Sequence, residues 1–215
     1  MSEKLPEIQY DLTQKSKLKE FYDSNKILIF SIILVIVILF GYLGFYLTNK
    51  ENKKILLSEN YLQAKIYLDA GNKEKGKDIL KELIYVDDST YSPLSLFLII
   101  NQNLITDPKE LSTLFDHILK KNKFSKERKN LLIYKRSLLK SNFVSESDLL
   151  ESLKPLLNDE SAWRSHALLL LGDFFVSNKE YIKAIDFYQK ILTLRNLHSD
   201  IYNHAKSQLE IISSK

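Results

Sequence analysis

The sequence predicts an all-α protein: one N-terminal transmembrane helix followed by an α-solenoid of stacked helix pairs. Three observations carry this. Residues 27–49 contain no charged side chain, and ILIFSIILVIVILFGYLGFYL (27–47) is almost wholly apolar. From Lys53 onward apolar residues recur with the helical period, and no long alternating run of the kind a strand needs is present. Start and stop signals for helices then follow at short intervals. Glycine (5) and proline (4) are scarce in 215 residues, which argues against a turn-rich β fold.

Residues 1–26 read as a short N-terminal tail and 27–49 as the membrane span. A helix of about 20 apolar residues, rising about 1.5 Å each, matches the ~30 Å hydrocarbon core of a bilayer. A core helix of a soluble domain is rarely apolar on every side for so long. Tyr42 and Tyr46 lie toward one end like an aromatic belt, and Lys26 and Lys50 bracket the run. A cleaved signal peptide needs a shorter apolar region of ~7–15 residues and a small-x-small site. GYLGFYLTNK offers no such site, and the chain has no cysteine for lipidation. The run therefore reads as an uncleaved single-pass anchor. Gly41 and Gly44 are three apart, so the GxxxG dimer spacing is absent. Lysines 15, 17, 19 and 26 precede the span and 50, 53, 54 and 65 follow it, a tie that leaves the orientation open.

Beyond the span, residues 50–215 read as a helical domain. Ala70-Gly71-Asn72 stops one helix. Ser92-Pro93 reads as an N-cap with proline at the first helical position. Asp107-Pro108-Lys109-Glu110 uses the same device, with Glu110 completing a capping box. Ser125, Ser145 and Ser161 are candidate N-caps. The spacing predicts helices over 54–70, 73–85, 92–103, 108–121, 126–141, 146–157, 162–177, 179–194 and 199–213. Short loops between them suit antiparallel helix pairs. The basic run Lys120-Lys121-Asn122-Lys123-Phe124-Ser125-Lys126 falls at a helix end, where cations favour the dipole.

Helix pairs of even size invite a repeat search. The tetratricopeptide repeat places large residues at positions 4, 7, 11, 17 and 24 and small ones at 8 and 20 of about 34. With Gly172 at position 8, Leu171 takes 7, Phe175 takes 11, Tyr181 takes 17, Ala184 takes 20 and Tyr188 takes 24. Leu168, Ile191 and Asn196 replace the usual residues at 4, 27 and 32. The same register fits near the span: Ala64 takes 8, Tyr67 takes 11, Gly71 is the turn, Gly76 takes 20 and Leu80 takes 24. Small side chains at 8 and 20 let the two helices of a hairpin approach. The clearest repeats thus lie at about 57–90 and 165–198, residues 91–157 read as degenerate repeats, and 199–213 suits a capping helix.

Catalytic and metal motifs are missing. His117, His166, His198 and His204 have no ligand spacing, and the five glycines allow no phosphate loop or nucleophile elbow. Asp87-Asp88 reads as a solvated turn without a partner. The net charge of +4 is interleaved along the chain, unlike a nucleic-acid footprint. The expectation is a non-enzyme with no cofactor, no metal, no nucleic acid and no small-molecule substrate, whose solenoid binds proteins along its concave wall. In the register above that wall takes Ser58, Tyr61, Lys65 and Leu68 from the first repeat, and His166, Leu169, Asp173 and Val176 from the last. The lining is apolar-rich and lacks a Lys/Asn set for clamping a carboxylate. It suits apolar or unfolded segments, or a partner's helix.

The layout runs from a charged tail with LKEFYDSNK into one anchor, then a helix carrying ENYLQAKIYL, then helix pairs. It resembles the ancillary SecYEG translocon subunit family of bacterial inner-membrane proteins, also called YfgM-like, over nearly the full chain. The resemblance implies a single-pass inner-membrane protein with its repeat domain in the periplasm. It also implies association with a SecYEG-type translocon, with periplasmic chaperones of the PpiD type and with exported polypeptides. It breaks the topology tie. Two other arrangements fit the residues themselves: a membrane-anchored receptor with a cytoplasmic repeat domain, and a structural subunit of an envelope complex.

Overall fold

The computed structural model describes residues 17–158, 161–195 and 197–213, and every regular element among them is helical. The first part of the tail and position 32 of the last repeat, Asn196, lie outside the described residues. The chain divides into two compact units, Met1–Leu56 and Leu57–Lys215. The second begins at Leu57, whose side chain is buried.

Helix α1 (Lys17–Asp69) contributes to both units. In the first it begins inside the segment read as a tail and is interrupted at Asn25 (φ −120, ψ 16). Asn25 Nδ2 donates to the Phe21 carbonyl at 3.0 Å. Every side chain from Phe30 to Leu47 is exposed. Among the described residues, this one helix is long and apolar enough to cross a membrane by length and composition, and none of its apolar window is covered by protein.

The second unit continues with α2 (Lys73–Tyr85), α3 (Tyr91–Asn101), α4 (Pro108–Lys121), α5 (Lys126–Lys140), α6 (Glu146–Leu153), α7 (Arg164–Ser177), α8 (Tyr181–Leu192) and α9 (Ser199–Ser213). Packing is between near neighbours: α2 on α3, α4 on α5, α5 on α6, α7 on α8, and α8 on α9. All nine expected helices are present. The sixth is shorter than 146–157 because it tightens into a 3₁₀ turn over Lys154–Leu156, where Pro155 supplies no N–H.

Three hairpin turns are closed the same way. Gly71 (φ 81), Asn103 (φ 50) and Lys179 (φ 63) adopt the left-handed conformation. Their N–H groups donate to Leu68, Ile100 and Val176 carbonyls at 3.0, 3.1 and 3.0 Å. The next N–H groups, of Asn72, Leu104 and Glu180, reach back to Tyr67, Ile99 and Phe175 at 2.8, 3.0 and 2.8 Å. This is the Schellman closure, which satisfies the last carbonyls of a helix. The middle hairpin, read as degenerate, therefore shares its turn with the two clear repeats.

Helix starts differ from expectation in three places. Ser92 does not cap α3; it lies inside the helix, fully buried, and its hydroxyl donates to the Leu83 carbonyl at 3.0 Å. Asp88 caps instead, accepting from the Thr90 and Tyr91 N–H groups at 2.8 and 2.9 Å. Asp87 is not without a partner, since it meets His117 Nε2 at 2.8 Å. Ser125 precedes α5 without making a capping bond. Ser161 stands before the turn that leads into α7 and accepts from the Trp163 N–H at 3.2 Å. Asp107 and Ser145 cap α4 and α6 as read, Glu110 accepts from Lys81 Nζ at 2.8 Å instead of completing a capping box, and Lys120 and Lys121 fill the last turn of α4.

The interior falls into two apolar clusters. One joins Ala64, Leu80, Leu96, Ile99, Phe115 and Leu132, among others. The other joins Ile133, Leu153, Leu171, Phe175, Tyr188 and Ala205, among others. Adjacent residues of α5, Leu132 and Ile133, thus serve different cores.

The two hairpin glycines make room for different things. A Cβ on Gly76 would lie 2.5 Å from Leu68 Cδ2 and 3.2 Å from the Ala64 carbonyl, so positions 8 and 20 do meet there. A Cβ on Gly172 would lie nearest the ring of Tyr188, at 2.5 Å. Ala184 is fully buried, and the Tyr188 ring stands nearer to that Cβ than it does. The tight contact in the last repeat runs from position 8 to position 24.

Candidate protein-binding surface

The lining residues expected from the first repeat divide by role. Tyr61 is half-buried, its ring centroid 6.1 Å from that of Tyr91, and burial raises its phenol pKa above the ordinary value. Leu68 covers Gly76 and packs against the first core. Lys65 is exposed.

Those from the last repeat are more tightly engaged. His166 forms an aromatic group with Trp163 (5.1 Å between centroids) and Tyr134 (5.6 Å), which are themselves stacked at 5.5 Å. Burial first, then His198 and Lys135, holds the His166 imidazole below its usual pKa. Burial raises Tyr134, with a smaller push from the Asp173 charge. Asp173 Oδ1 accepts from Tyr188 Oη at 2.7 Å and faces His204 Nε2 at 3.0 Å, so it ties α7 to α8 and α9. Burial and that bond together drive the Tyr188 phenol far above its ordinary range. Leu169 and Val176 pack against the second core. Asp173, Leu68, Leu169 and Val176 thus have structural work of their own. Tyr61 and His166 belong to different clusters.

The sequence reading missed a trough in the middle of the domain. Two openings, of about 230 and 460 Å³, are both lined by α3 and α5 and share Phe97 and Leu131. Leu94, Phe97 and Ile100 line one wall, and Leu131, Leu138 and Leu139 the other. Phe115 and Leu132, both buried, form part of the lining as well. A signal existed: α3 carries no charged residue (YSPLSLFLIIN) and is apolar on more faces than a half-covered helix requires. Ser92, Ser95, Leu96 and Ile99 turn inward, which leaves the other apolar side for the trough.

Residues 165–196 match the family model of the tetratricopeptide repeat. They comprise α7, its turn and α8, the hairpin whose Gly172 admits the Tyr188 ring. The chain contains a tetratricopeptide repeat. Such repeats are scaffolds that mediate protein–protein interaction. No curated protein and no solved structure matches the chain. Among the described residues no group of three or more His, Asp or Glu side chains is placed to hold a metal ion.

Proposed function

We propose that the chain is a membrane-anchored adaptor that binds proteins being exported or assembled, with 27–49 as its single span and the repeat domain as its binding module. The observation that carries this is the pairing of a wholly uncovered apolar helix with a tetratricopeptide repeat in one chain. Tethering is the mechanism. The anchor confines the binding surface to the membrane plane, so its effective concentration near other membrane proteins is high and weak contacts suffice.

The resemblance in layout to the YfgM-like family supports a finer reading. The repeat domain faces the periplasm, and its partners are a SecYEG-type translocon, a periplasmic chaperone and the exported polypeptides. Lysines balance across the span, so orientation rests on that resemblance alone. Its lining residues are Tyr61, Lys65 and His166, with Leu68, Leu169, Asp173 and Val176 holding their shape.

Alkaline phosphatase fused after residue 215 is expected to be active. An inactive fusion, with activity of a cytoplasmic reporter at the same place, would place the domain on the other side and favour a cytoplasmic receptor. Crosslinking in intact membranes with mass spectrometry is expected to recover translocon subunits. Recovery of one envelope enzyme complex instead would reassign the chain as a structural subunit.

A further inference from the structure

We infer that the trough between α3 and α5 is the docking site for an amphipathic helix of a partner protein, one with acidic side chains two turns apart beside its apolar stripe. This rests on the reading of the repeat domain as a protein-binding module.

The trough has the right shape. Its lining on α5 runs from Arg128 to Leu139, about 16 Å of helix or three turns. Three turns is the footprint of a short amphipathic helix, which seats residues i, i+3 or i+4 and i+7 in an apolar groove. The rims are open, since Leu94 and Leu138 are 41% and 43% exposed.

Charge identifies the occupant. Two cations line the trough, Arg128 at one end and Lys135 near the other. They are seven residues apart on one face of α5, about 10 Å along its axis. Among the described residues neither forms an ion pair; Arg128 Nε donates only to the Ser125 hydroxyl, at 3.3 Å. On the same helix Arg136 and Lys140 reach Asp116 at 2.6 and 3.7 Å. The facing wall, α3, supplies no acid. An apolar floor flanked by two uncompensated cations complements a helix with two carboxylates at the same spacing. A basic helix of equal apolarity is repelled.

The test uses the full chain in phosphatidylcholine nanodiscs, with empty nanodiscs as the blank. The probes are two labelled synthetic 18-residue helices with the same leucine stripe, one flanked by Glu and one by Lys. The Glu helix is expected to bind at least tenfold more tightly, with affinity falling as salt rises. Arg128→Glu with Lys135→Glu is expected to reverse the preference while leaving thermal unfolding unchanged. Equal binding of both helices, or an unreversed preference, overturns the proposal. So does a chain dimer that the double variant dissolves, or binding that requires phosphatidylglycerol, which would assign the trough to a second copy or to lipid. A photo-crosslinker at Leu94 is expected to label the Glu helix. Labelling from Lys65 alone overturns the trough and leaves the protein-binding reading intact. If, in cell membranes, no protein is captured from either position, both fail.

Discussion

At the scale of single residues, the last hairpin turns on one pair. Gly172→Ala is expected to push its Cβ into the Tyr188 ring, 2.5 Å away, and to destabilise the domain by about 1–3 kcal/mol through overpacking. Thermal or urea unfolding of the domain reads it. Gly172→Ala combined with Tyr188→Leu should lose less than the sum of the two changes, because the second removes the ring the first strikes. Tyr188→Phe is a different probe. It keeps the ring but deletes the hydroxyl that donates to half-exposed Asp173, at a cost of about 1 kcal/mol. Unchanged unfolding in that variant would show that the bond is a surface contact only. Gly172 itself was legible in the sequence as a place that must stay small. Its partner was not, because a repeat register gives positions along the chain and not which side chain fills a gap across a hairpin.

At the scale of elements, turns and caps decide where helices stop. Lys179 holds a left-handed φ of 63 where the equivalent first-repeat residue is Gly71. A left-handed non-glycine residue costs roughly 1–2 kcal/mol, and glycine returns part of that as unfolded-chain entropy. Lys179→Gly is therefore expected to stabilise the domain by about 0.5–1 kcal/mol, seen as a raised unfolding midpoint at unchanged slope. Asp107→Ala removes the bond to the Lys109 N–H at 3.0 Å and should cost about 1 kcal/mol. Helix number and boundaries were largely legible, since proline, glycine and Asp/Ser signals act within a few residues. The Asp88 cap of α3 was hidden behind the more familiar Ser-Pro pair. The trough was missed for a related reason: repeat positions name the walls of each hairpin, while a gap between α3 and α5 depends on how two hairpins stack.

At the scale of the whole molecule, the two units make separable predictions. Alkaline carbonate extraction is expected to leave the chain in the membrane and to release it when 27–49 is deleted. Release of the intact chain would turn the span into a merely adherent helix. For the repeat domain, the His166 imidazole is held below its unfolded value of 6.5, mainly by burial. The unfolded chain therefore binds more protons than the folded one once pH falls below about 6.5, and stability drops in that window. Above it both forms are neutral and the contribution is constant. The stability difference between the natural protein and His166→Gln should accordingly shift toward the variant as pH falls from 7.5 to 5.5, read by unfolding at each pH. A difference that stays flat would mean the aromatic group around His166 leaves it hydrated.

The back-to-back division of α5, with Leu132 in one core and Ile133 in the other, bears on how the chain is made. The first core draws on residues from Ala64 to Leu132, so it can close while the C-terminal helices are still being synthesised. Contacts between sequence neighbours carry little loop-closure cost and form quickly. Vectorial folding is the expected outcome, with the second core condensing on the face of α5 that the first leaves free. Nascent chains arrested after α5 should already resist protease, whereas a C-terminal fragment that starts after α5 should not.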